Sequence, residues 1–189
     1  MIFNRLRLFH KNQMGFTLVE VILAIAISGI ITGSITATIF QVIIGGARTN
    51  NHMIAVSQVR DAGYWVSHDT VMAQAEPIIV DDPGTPAVEE FLTLTWSDWE
   101  SGEVHQVTYT LEDMTGGSKQ LKRSHSINGV TETSLVAQFI DVTEKDGKPQ
   151  TRCEFTNGVL TFTVTATVGT GSQGESETRI YEIVPRPGS

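Results

Sequence analysis

The chain has 189 residues, 40% of them hydrophobic and 18% charged, with a formal net charge of −8. That length fits one ordinary domain plus an attachment segment, with no need for a second large domain. Arg5, Arg7 and Lys11 supply +3 in the first fifteen residues and leave −11 beyond Gly15, a balance that disfavours a broad nucleic-acid surface.

From Phe16 to Ile44 nearly every residue is apolar or small, and Glu20 is the only ionisable side chain. As a helix this run spans roughly 43 Å at about 1.5 Å per residue, enough to cross a hydrocarbon core of about 30 Å. Basic residues precede it and only Arg48 follows soon after. This predicts a single-pass cytoplasmic (inner) membrane protein with its N-terminus inside and the rest outside. A cleaved secretory signal has an apolar region of about 7–15 residues, so a simple signal peptide is the weaker reading. Glu20 remains unexplained by anchoring, because a centrally placed acid in a membrane helix costs about 2.5–3.5 kcal/mol. Near the helix start it can also snorkel to the headgroups.

The stretch Met14-Gly15-Phe16-Thr17-Leu18-Val19-Glu20-Val21, behind a short basic leader and ahead of the apolar run, resembles the processing site of type IV prepilins and type II secretion pseudopilins. The resemblance implies cleavage after Gly15 by a prepilin peptidase and methyltransferase, N-methylation at Phe16, and a mature chain that starts with the apolar helix. It also implies an assembly role for Glu20, whose carboxylate would meet the new amine of a neighbouring subunit, so that neither charge is buried alone. The implied partners are that enzyme, other pilin or pseudopilin subunits, the inner-membrane assembly platform, and membrane lipid before assembly. No direct nucleic-acid partner is expected. The final location would be an extracellular or periplasmic filament. Small residues such as Ala24, Ser28, Gly29, Gly33 and Ala37 suit close helix packing, although the Gly29/Gly33 spacing is a weak signal.

Beyond Gly45-Gly46 a helical pattern resumes, with Ala55, Val59, Ala62, Val66 and Ala73 on one face. Ser57, Arg60, Asp61, Ser67 and Asp69 fall mostly elsewhere, and the helix is expected to end before Pro77. After the loop Asp81–Pro86 the period changes to two. Leu92, Leu94 and Trp96, then Val107, Tyr109 and Leu111, then Leu160, Phe162, Val164, Ala166 and Val168 alternate mainly with threonines, the pattern of strands with one buried face. Turn signals stand at Gly116-Gly117, Asn128-Gly129, Asp146-Gly147 and Asn157-Gly158, the last predicting a tight hairpin.

The expected class is α+β: a long N-terminal transmembrane and amphipathic α-helix packed on an antiparallel β-sheet, as the pilin-like resemblance also implies. The expected divisions are a leader at 1–15, a membrane and filament-core half-helix at 16–44, an amphipathic half-helix at 45–76, and an exported β-rich domain at 77–189. The exported part has a loose similarity to larger minor pilins and J-type pseudopilins. Two features depart from abundant major pilins: a single cysteine, which excludes a disulfide-closed loop, and the lack of a proline midway along the apolar helix.

The search for other chemistry yields little. The five histidines, His10, His52, His68, His105 and His125, lack metal-ligand spacing. Asp98, Glu100 and Glu103 lack a calcium-loop pattern and read as a solvated acidic turn. Lone Cys153 beside Phe155 reads as a small core residue. Gly169–Gly174 reads as a turn without the setting of a phosphate cradle, and no serine elbow or carboxylate dyad is present. The expectation is a non-enzyme with no cofactor and no metal. Trp99 is the better aromatic candidate for an interaction site, so a membrane-anchored binding or adhesin module stands as the alternative.

Overall fold

The computed structural model describes residues 15–74 and 90–186. The basic leader and the loop Asp81–Pro86 lie outside the described residues. Contacts divide the chain into two units, with the boundary between Ile44 and Gly45. One helix, α1 (Leu18–Met72), runs through that boundary.

In the first unit every described residue is exposed, including Phe16, Leu18, Ile30 and Phe40. Its hydroxyls are turned onto the helix itself. Thr32 Oγ1 donates to the Ser28 carbonyl at 2.8 Å, Ser34 Oγ to that of Ile30 at 2.9 Å, and Thr38 Oγ1 to that of Ser34 at 2.9 Å. Polar side chains satisfied in this way add little to the cost of an apolar surrounding.

In the second unit α1 buries Ala55, Val59, Ala62 and Val66 against an antiparallel sheet, as the helical spacing predicts. The strands are β1 (Glu90–Ser97), β2 (Val104–Asp113), β3 (Lys119–Ile127), β4 (Val130–Ile140), β5 (Glu144–Lys145), β6 (Lys148–Pro149), β7 (Arg152–Thr156), β8 (Val159–Val168) and β9 (Glu175–Ile183). The described residues form a seven-stranded sheet in the order β1-β2-β3-β4-β8-β7, with β9 also paired to β8, while β5 and β6 form a small separate hairpin.

Asn128-Gly129, Asp146-Gly147 and Asn157-Gly158 all take positive φ at both positions. That is the two-residue turn whose twist suits a hairpin; the three join β3 to β4, β5 to β6 and β7 to β8, and the last is the hairpin the sequence predicts. Near its C-terminal end β4 departs from regular register with β3 and reaches β8 through the single pair Ile140 and Ala166.

The helix meets β9 at Gly63. A Cβ there would lie 2.0 Å from Tyr181 Cζ, and the Tyr181 hydroxyl donates to the Val59 carbonyl at 3.1 Å. Only a residue without a side chain admits that ring. Gly63→Val is therefore expected to destabilise the protein by about 1–3 kcal/mol, measured by urea denaturation. The loss should shrink in a Tyr181→Ala background, where the clash is gone.

Candidate functional site

Three of the residues singled out in the sequence lie together at the start of α1. Gly15 has nothing within 4 Å of where a Cβ would stand, and Phe16 is 86% exposed. Thr17 precedes the first helical residue, and its backbone N–H and hydroxyl donate to Glu20 Oε2 at 2.8 and 2.9 Å. The Glu20 N–H returns a 3.3 Å bond to Thr17 Oγ1. Threonine followed three residues later by glutamate is a reciprocal helix cap, which satisfies orphan donors of the first turn. The sequence reading missed this use of Glu20, although Thr17-x-x-Glu20 spells it. Both Thr17 bonds fall on one carboxylate oxygen, so Oε1 keeps its capacity for a further donor.

The second cluster joins helix to sheet. Asp69 is fully buried, correcting its placement off the apolar stripe. Arg123 of β3 holds it through Nε to Oδ2 at 2.7 Å and Nη2 to Oδ1 at 3.0 Å. Tyr109 Oη donates to Oδ2 at 2.5 Å, and His68 Nδ1 lies 3.2 Å from Oδ1. Trp65 covers the guanidinium, with Arg123 Cζ 5.0 Å from its ring centre. Burial alone would raise the Asp69 pKa. The hydrogen bonds from Arg123 and Tyr109, with the Arg123 charge, outweigh it and hold the carboxyl below its ordinary value. Burial, and then the Asp69 charge, push the Tyr109 phenol well up. These groups are saturated by one another, and the cluster fastens the fold.

The other flagged residues separate. In the acidic turn Asp98 Oδ1 accepts from the Glu100 N–H at 2.9 Å, and Glu103 Oε1 accepts from Asn128 at 3.3 Å. Trp99 is 88% exposed and shares the lining of a cavity with Trp96, Asp98 and Arg186. Cys153 is buried, and burial pushes its thiol up and keeps it protonated. The Gly169–Gly174 turn seats Asn51 of α1, which donates to the Gln173 carbonyl at 2.8 Å. His105 and His125, twenty residues apart in sequence, come together on the sheet with a 3.1 Å nitrogen separation. Among the described residues no group of three or more His, Cys, Asp or Glu side chains is gathered to hold a metal.

The residues around Gly15 and Glu20 match a known signature. The chain carries the prokaryotic N-terminal methylation motif over residues 10–36. That motif is the class III signal of type IV pilins, and with the long apolar helix it indicates a type IV pilin-like or pseudopilin protein. It implies processing by prepilin peptidase and assembly with other pilins, in a family that is structural rather than enzymatic. The helix α1 is long and apolar enough to cross a membrane. Comparison with the curated proteins and with the solved structures gave no significant match.

Asp69→Asn should cost the second unit about 3–5 kcal/mol, because it leaves Arg123 without its counter-charge. The depressed carboxyl contributes stability that is present above its unfolded pKa of about 3.9 and lost as pH falls through the folded value. Urea midpoints of the wild type should therefore fall below about pH 4. Those of the variant should start lower and lack that step.

Proposed function

We propose that this chain is a structural, minor subunit of a type IV pilus or a type II secretion-like pseudopilus. In this reading prepilin peptidase cuts after Gly15, Phe16 becomes the N-methylated first residue, and residues 16–44 enter first the membrane and then a bundle of neighbouring helices. Residues 45–76 and 77–189 form the part carried outside the cytoplasmic membrane. The observation that carries the proposal is the motif over residues 10–36, placed at the start of a helix whose first half is exposed and apolar while its second half is packed on its own sheet.

Glu20 suits an assembly role on chemical grounds. Its Oε2 is occupied by Thr17, and Oε1 is left to receive the amine of an adjacent subunit. Such a pair would fix axial register, since a subunit out of step leaves two charges unpaired in an apolar core. A second reading, a tethered binding module, draws support from exposed Trp99 beside the cavity it shares with Trp96. It predicts function that survives Glu20→Ala.

Intact-mass and N-terminal analysis of the membrane-fraction protein, from the native host and from a strain without its prepilin peptidase, separates these readings. The expected chain begins at N-methylated Phe16 only when the peptidase is present. A chain that still begins at Met1 in the native host, or one cut beyond Ile27, contradicts the filament reading.

A further inference from the structure

The register of β1 to β3 brings Trp96, His105 and His125 together on one face of the sheet. Trp96 pairs with His105 across β1 and β2, and Val107 pairs with His125 across β2 and β3. Directly paired residues share a face and side chains alternate along each strand, so both histidines stand on the face that buries Val107 and Tyr109. The imidazole centres are 5.3 Å apart with the ring planes 24° from parallel, and the nearest nitrogens are 3.1 Å apart, so the rings meet edge to edge. Trp96 lies against both, its centre 5.1 Å from that of His105 and 5.7 Å from that of His125. All three side chains are half-buried and reachable from solvent.

Two neutral imidazoles make the contact between His105 Nδ1 and His125 Nε2 with one N–H donating and one lone pair accepting. One added proton keeps it, since an imidazolium N–H still donates to the remaining lone pair. A second proton puts an N–H on both facing nitrogens, so the hydrogen bond is lost and two like charges face each other in a half-buried site. We propose that His105 and His125 form an acid switch, in which the second proton turns the two rings apart and frees Trp96 from its stack. The backbone ladder between β2 and β3 does not depend on these rings, so the change is local. Trp96 also lines the cavity that contains Trp99, Asp98, Glu100 and Arg186, and acid therefore reshapes that cavity. The switch lies within the second unit and does not depend on what surrounds the apolar helix.

The environment sets how readily His125 takes a proton. Burial opposes it most, followed by the charges of Arg123 on the same strand and of His105, while Asp69 of α1 and Glu132 of β4 favour it. The opposing causes prevail and lower the His125 pKa from its ordinary value. Asp69 is already held by Arg123 and Tyr109, and Glu103, beside the start of β2, accepts from Asn128. A depressed histidine contributes stability that is present above its unfolded pKa of about 6.5 and lost as pH falls toward the folded value. That loss begins at a higher pH than the loss tied to the Asp69 carboxyl, which starts near about pH 4.

Acrylamide quenching of Trp96 fluorescence reads the switch. In full-length protein in detergent micelles, with Trp65→Phe and Trp99→Phe, the quenching constant is expected to rise roughly twofold and reversibly between about pH 7.5 and about pH 5, with unchanged far-ultraviolet circular dichroism. His125→Phe keeps a ring beside Trp96 but takes no proton, and its quenching constant should stay level over that range. A level response with both histidines present, an equal rise in His125→Phe, or a rise accompanied by loss of β-structure overturns the switch. Should that variant fail to fold, nuclear magnetic resonance of the histidine rings follows the pair in the wild type. Two linked protonation steps on each ring support the proposal, and a single independent step on each overturns it.

Discussion

An exposed apolar helix is the constraint on which the rest of this protein depends. From Phe16 to Ile44 the first unit presents isoleucine, leucine, valine and phenylalanine to its surroundings, with hydroxyls turned onto its own carbonyls. Water is a poor surrounding for such a surface, since every apolar Å² left wet forgoes about 25 cal/mol. Lipid and a bundle of similar helices both relieve that cost, and the lack of a hydrophobic drive between helices within lipid lets small residues and a single charge decide how they pack. A subunit that passes from membrane to filament exchanges one such surrounding for the other.

In the proposed role the second unit answers a different requirement: it stays folded by itself while the first unit exchanges lipid for neighbouring helices. Its helix segment is fixed to the sheet by a close approach at Gly63 and by the Asp69, Arg123 and Tyr109 cluster. Buried ion pairs are weak sources of net stability, but they penalise misplacement heavily. One register of helix on sheet saturates the carboxylate, and sliding the helix by a turn leaves a buried charge bare.

Most of the plan was legible because its signals are periodic or local. The helical stripe, the threonine alternation of β8 and the Asn-Gly and Asp-Gly turns each act over a few residues, and all appear where the sequence places them. The Asp69 cluster was harder to read, though its trace is visible: the stripe steps by seven from Val66 to Ala73, and Asp69 and Thr70, both buried, fill that gap. Its partner Arg123 lies 54 residues away in a polar strand, Lys119–Ile127, that shows no apolar alternation. β4 and β9 were missed for the same reason, since β4 is exposed from Val130 to Leu135 and β9 along much of its length. The meeting of His105 with His125 depends on strand register, which no spacing rule in the sequence reports.

The prokaryotic N-terminal methylation motif covers only residues 10–36, so the central claim concerns what surrounds the apolar helix in the cell. The most direct measurement is site-specific photocrosslinking from Ile35 in the native host, with and without Glu20→Ala. Adducts between this chain and pilin-like subunits, which disappear with the Glu20 carboxylate, are expected. Adducts to lipid alone, or protein adducts indifferent to Glu20, would contradict that claim.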